Sequence, residues 1–226
     1  STVSSAEKRD YRQASAVENV VEKRTQINRE HTTRKLKAMY GLDPSMAVFR
    51  GLRHFWQIEN AALPQLAMLC ALARDPLLRL SVDAVLDLKV GDTISAAGLA
   101  EVVRQRAPGR FSETNEKAIA VRMLSSWAQS GHLTGHLRKS RARPHATSVV
   151  AAYAMLLGYL EGIRAQRLFG TLWARVVDRP VEELVDLVAV AGQRGLLDFR
   201  QVSSIVEVRF RDFLTRDEEE WAREQG

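Results

Sequence analysis

The sequence holds one cysteine, Cys70, in 226 residues, so no disulfide can form within the chain. Proline and glycine are sparse, at six and 13 residues, which argues against a many-turned sheet protein and for helices. No apolar run approaches the ~20 residues that cross a bilayer. The longest, 149–160, is well short of that, so no membrane partner is expected. Phosphate loops of the GxxxxGKS or GxGxxG kind are missing, as are HExxH and paired-cysteine metal patterns. The start, residues 1–16, is polar, carries Glu7, Lys8, Arg9 and Asp10, and does not read as a secretory signal. These absences lead us to expect a cytoplasmic protein that is not an enzyme. No catalytic residue, cofactor, metal or small-molecule substrate is expected.

Acid is missing locally. The chain has 27 acidic residues, yet the 44 residues from 117 to 160 contain none. The apolar run 149–160 accounts for part of the gap. The remainder holds Lys117, Arg122, Arg138, Lys139, Arg141 and Arg143, with His132, His136 and His145. The net charge is +6 and the isoelectric point about 9.8, a balance that suits a polyanion. A solvated basic loop is the plainer alternative.

What is present reads as mainly α. Residues 1–16 form an arm. A helical pattern starts at Val17 with Val20, Val21, Ile27, Leu36, Met39 and Tyr40, and stops at Gly41. Its polar side is basic, with Arg24, Arg29, His31, Arg34, Lys35 and Lys37. Asp43 or Ser45 can cap a second helix presenting Met46, Phe49, Leu52, Phe55 and Trp56 to a core. A third, apolar helix spans 61–74. Residues 75–88 read as one helix and 90–94 as a turn or short strand. Ser95 caps a helix over 96–106, and Ser112 caps another over 113–129 that stops at Gly131. The basic stretch 132–145 reads as a two-stranded ribbon. Helix, strand, helix, turn, helix, ribbon is the order of a winged helix-turn-helix, whose last helix suits the major groove. Further helices follow at 149–160, around 163–177 and at 181–190. Residues 205–210 read as one strand, which with the preceding helix is a candidate second, degenerate winged unit. The expected organisation is 1–16 arm, 17–74 helical region, 75–147 winged helix-turn-helix, 148–212 helical or winged region, and 213–226 acidic tail.

Within this plan the residues expected to meet DNA are Thr114, Asn115, Lys117 and Arg122 on the last helix of the unit, and Arg138, Lys139, Arg141 and Arg143 on the wing. Arg34 and Lys35 belong to a second basic group. Asn and Arg suit base edges, whereas Thr and Lys suit phosphate. Ile119, Val121, Leu124 and Trp127 form the expected apolar side of the same helix.

The order of blocks resembles the BrxA family of bacterial BREX phage-defence systems. The likeness rests on Thr32, Thr33, Arg34, Lys35 and Leu36, and on the run 66–78 ending in Arg74, Asp75, Pro76, Leu77 and Leu78. It continues with Ser112, Glu113 and Thr114 followed by Leu124, Trp127, Gly131 and Leu133, with the apolar helix around Tyr153, and with Leu184, Gly195, Phe199 and Val208. It covers roughly residues 17–212 in block order and hydrophobic positions. The resemblance implies helices with small wings, binding to double-stranded DNA, no activity of the protein's own, and other defence-system proteins as partners. A winged-helix transcription regulator and a protein or RNA interaction scaffold are the alternatives.

Overall fold

A computed structural model describes residues 11, 13, 22, 25–136, 138–202, 205–210 and 213–224. The expected helix start at Val17, Val20 and Val21, most of the arm, Arg24 and Asp212 lie outside these. The described chain is mainly helical, with two small antiparallel sheets.

Helix α1 (Gln26–Tyr40) begins where the Thr25 hydroxyl accepts the Asn28 N–H and ends at Gly41, whose φ of 84° turns the chain away. Helix α2 (Ala47–Trp56) starts later than Asp43 or Ser45 would have it. The Asp43 carboxylate is spent on the Ser45 N–H and hydroxyl, closing a turn instead of capping a helix. Phe49, Leu52 and Phe55 are buried as expected, whereas Met46 and Trp56 stay substantially exposed. Tyr11, in the expected arm, sets its ring edge-on to Phe49.

Helix α3 (Leu63–Arg74), led by Pro64 in its first turn, and helix α8 (Ser148–Leu160) form the centre. Every residue of α8 except Tyr159 is buried, as for a helix apolar on all sides. It packs against α2, α3 and the helices that follow it. Gly51 permits the α2 contact, since a Cβ there would lie 2.7 Å from Leu156. The Tyr153 hydroxyl donates to the Val48 carbonyl at 2.9 Å, satisfying its one polar atom.

The expected helix over 75–88 is two short ones, α4 (Pro76–Arg79) and α5 (Val82–Leu86). Asp75 caps the first through the Leu77 and Leu78 N–H groups. The break falls at buried Ser81, whose hydroxyl donates to the Leu78 carbonyl and accepts the Trp127 indole N–H. Strand β1 (Thr93–Ile94) leads to α6 (Ala96–Arg106) and α7 (Glu113–Gln129), capped by Ser95 and Ser112 as expected. Strands β2 (Leu133–Thr134) and β3 (Lys139–Arg141) pair antiparallel, with Leu133 opposite Arg141. Strand β1 joins the other side of β3, giving the order β1-β3-β2.

Beyond α8, a 3-10 turn (Ala165–Gly170), α9 (Leu172–Val177) and α10 (Val181–Gln193) complete the core. Strand β5 (Ile205–Arg209) does not stand alone: β4 (Asp198–Val202) pairs with it antiparallel. Only Phe199 in β4 is even half-buried, so no apolar alternation marks that strand. The described part of the acidic tail packs on the core. It forms α11 (Arg216–Glu224), docked by fully buried Ala222, by the Arg50–Glu218 ion pair and by Arg164 donating to the Ala222 carbonyl. One hydrophobic cluster runs from α2 to Leu214, across the expected boundaries near 74 and 147.

Candidate nucleic-acid interface

Helix α7 separates its faces cleanly. Ala120, Met123, Leu124 and Trp127 are buried, and α6 packs against that side. Thr114, Lys117, Val121, Arg122, Ser125 and Gln129 are exposed at helical spacing on the other side, with Asn115 at its margin. Val121, expected inside, is 55% exposed. The charge pattern follows from where the two first-turn acids point. Glu116 turns inward, 4% exposed, and is held by Arg104 at 3.0 Å. Glu113 stays exposed at the helix N-terminus, where the macrodipole favours an acid. The Lys117 ammonium bonds it at 2.7 Å and draws its carboxyl below the usual range. The outward face therefore carries Arg122 as a cation without an ion pair among the described residues, and Lys117 as one shared with Glu113.

The ribbon after α7 is short. Gly135 turns it with φ 89°, and a Cβ there would lie 2.4 Å from the Arg138 carbonyl oxygen, so only glycine fits. Arg138 and Arg143 are exposed, and neither has a carboxylate partner among the described residues. Lys139 is half-buried, its ammonium donating to the Gly135 carbonyl at 2.6 Å. Leu137 lies outside the described residues.

Arg141 corrects the expectation of a fourth cation at the tip. Residues alternate sides along a strand, and position 141 points inward. Its side chain is 3% exposed and meets the Asp178 carboxylate at 2.8 Å. It also donates to the His132 and Ala142 carbonyls. Asp178 sits just past α9 in a left-handed conformation, φ 60°, so this pair ties the base of the ribbon to the C-terminal region. Arg179 adds a second tie, donating to the Pro144 carbonyl at 2.7 Å.

His132 is a third tie. It is fully buried, edge-on to Trp127, with Nε2–H donating to the Val176 carbonyl at 2.9 Å and Nδ1 facing the Ser130 hydroxyl at 2.8 Å. Burial holds its pKa down to about 4. The folded state thus resists a proton that the unfolded chain accepts near the ordinary value of about 6.5. Stability from this group is complete above that value and is lost as pH falls toward about 4, by about 3 kcal/mol in all. Urea unfolding across that window should show the loss in the wild type and a flatter profile in His132→Gln. Equal slopes in the two proteins would contradict this account.

Arg34 and Lys35 are exposed on α1, which packs on α3. Of their neighbours in the second basic group, Arg50 is committed to Glu218. Two exposed cations near the interface carried no expectation. Arg110 lies over the Phe111 ring in the turn just before α7, and its place beside the Ser112 cap was a usable signal. Lys89 precedes β1, in the turn that Gly91 joins to β3 by its N–H to the Arg141 carbonyl. Only the strand pairing brings it there. Among the described residues no group of histidine, cysteine, aspartate and glutamate is disposed to hold a metal, and no helix is long and apolar enough to cross a membrane. Cys70 is fully buried, and burial pushes its thiol up to about 11. Comparisons with protein-family models, curated proteins and solved structures gave no match.

Proposed function

We propose that this chain is a non-catalytic, double-stranded DNA-binding protein. In this reading α5, α6 and α7 with the β1-β3-β2 sheet act as a winged helix-turn-helix. Helix α7 enters the major groove, and the β2–β3 ribbon is the wing against the backbone. The observation that carries the reading is the outward face of α7. It presents Thr114, Asn115, Lys117 and Arg122, turns Glu116 inward, and adjoins a ribbon whose Arg138 and Arg143 lack ion pairs among the described residues. Cations left unpaired at a surface are available to displace counterions from phosphate. Few base-reading groups stand on α7, so shape and phosphate contacts dominate over sequence. The setting in a BREX-like phage-defence system, with modification and cleavage left to partner proteins in the cytoplasm, rests on the resemblance to the BrxA family.

The test is binding to a labelled random duplex by fluorescence anisotropy, from about 50 to about 300 mM salt. The reading expects a steep, log-linear loss of affinity. No binding at the lowest salt would remove it, and a footprint on one defined operator would favour a transcription regulator instead.

A further inference from the structure

The outward face of α1 repeats the signature seen on α7. At 100° per residue, Arg29, Thr32, Thr33, Leu36, Met39 and Tyr40 fall on one side of the helix. All six are half-buried, and α1 packs on α3. Arg34, Lys35 and Lys37 fall on the opposite side and are exposed, Arg34 near the middle and a lysine to each flank. None of the three forms an ion pair among the described residues. Elsewhere, outside α7 and the ribbon, Arg104, Arg106, Arg175 and Arg194 are each matched to a carboxylate. Glu30 is the one acid in α1, and it accepts from Gln26. No residue of α1 with a described side chain is fully buried, and Ile27 is 79% exposed. The core therefore does not explain why this helix is so basic.

Position supplies the partner. Met39 and Tyr40 at the C-terminal end of α1 and Ser126 and Gln129 in the C-terminal half of α7 line one groove of about 310 Å³, together with Trp56 and residues of α3. Gln129 belongs to the exposed stripe of α7, so that stripe runs into the groove that α1 borders. The direction of α1 is set by the Gly41 turn and by Arg74, whose Nε donates to the Ala38 carbonyl at 3.2 Å. Arg74 and Lys37 also offset the negative end of the helix dipole, which would otherwise repel phosphate.

We propose that α1 is a second phosphate-contacting arm, in which Arg34, Lys35 and Lys37 hold the duplex backbone beside the groove occupied by α7. This rests on the DNA-binding reading above. The protein then grips DNA through the cations of α1 as well as those of α7 and the wing, each set with its own share of the salt dependence.

The experiment is the same salt titration on the full chain, comparing the wild type with Arg34→Ala/Lys35→Ala/Lys37→Ala and with the charge-keeping Arg34→Lys/Lys35→Arg/Lys37→Arg. At about 0.1 M salt the alanine variant should bind at least tenfold more weakly, with a log–log slope shallower by about two to three, while the charge-keeping variant stays near wild type. All three positions are exposed, so unchanged unfolding curves serve as the control. Alanine-variant affinity within twofold of a wild type that does bind would overturn the role of α1 and leave the α7 reading standing. A structured RNA that outcompetes the duplex only when α1 is intact would overturn the choice of DNA. Wild type that binds no duplex would remove both readings together.

Discussion

Arg141→Ala is expected to destabilise the protein by about 3 kcal/mol, the cost of breaking one partner out of a buried ion pair. The Asp178 carboxylate would lose its guanidinium, and the His132 and Ala142 carbonyls would lose donors. The pair is already imperfect, since Arg141 Nε and Asp178 Oδ2 are buried without partners. A charge-free replacement that keeps volume should therefore recover much of the loss. Arg141→Met with Asp178→Asn fits, because asparagine tolerates the left-handed backbone at 178. Chemical unfolding at neutral pH checks both variants. A single variant as stable as wild type, with weakened DNA binding, would mean that Arg141 faces the ligand after all.

The Arg138→Ala/Lys139→Ala/Arg143→Ala variant should do the reverse. Arg138 and Arg143 are exposed and Lys139 is half-buried, so stability should change by less than about 0.5 kcal/mol. If all three meet phosphate, the log–log salt slope should fall by about two to three, and affinity near 0.1 M salt by on the order of a hundredfold. Lys139 is tethered to the Gly135 carbonyl and must release it to reach phosphate, so it should contribute least of the three. An affinity within twofold of wild type would remove the ribbon from the interface. Taken with Arg141, the two variants divide one short basic sequence into a structural cation and binding cations, each with a readout the other does not move.

Most helix ends were legible from neighbouring residues alone, the start of α2 near Asp43 and Ser45 excepted. Ser95, Ser112, Gly41 and Gly131 end or begin helices where local chemistry requires it, because a cap needs only a side chain and a backbone a few residues away. The reading failed where a distant group intervened. The helix expected over 75–88 breaks at Ser81, held by Trp127 from 46 positions away. Strand β4 was missed because its pairing with β5 is through backbone and leaves its side chains polar. Where the acidic tail docks was likewise out of reach, because Arg50 and Arg164 meet it from remote positions.

The candidate site divides along the same line. The run without acid between 117 and 160 singled out α7 and the ribbon as a basic segment, and helical spacing was enough to put Thr114, Lys117 and Arg122 on one face. Composition could not say which cations are free, since that depends on what each side chain meets. The sequence by itself determined a mainly helical chain, most of its caps, its apolar central helix and a basic segment, because these follow from contacts within a turn or two and from charge count. The tertiary structure alone decided that Arg141 is an internal tie, that Glu116 faces Arg104, and that α1 and α7 line one groove. Those outcomes depend on which surfaces the core brings together.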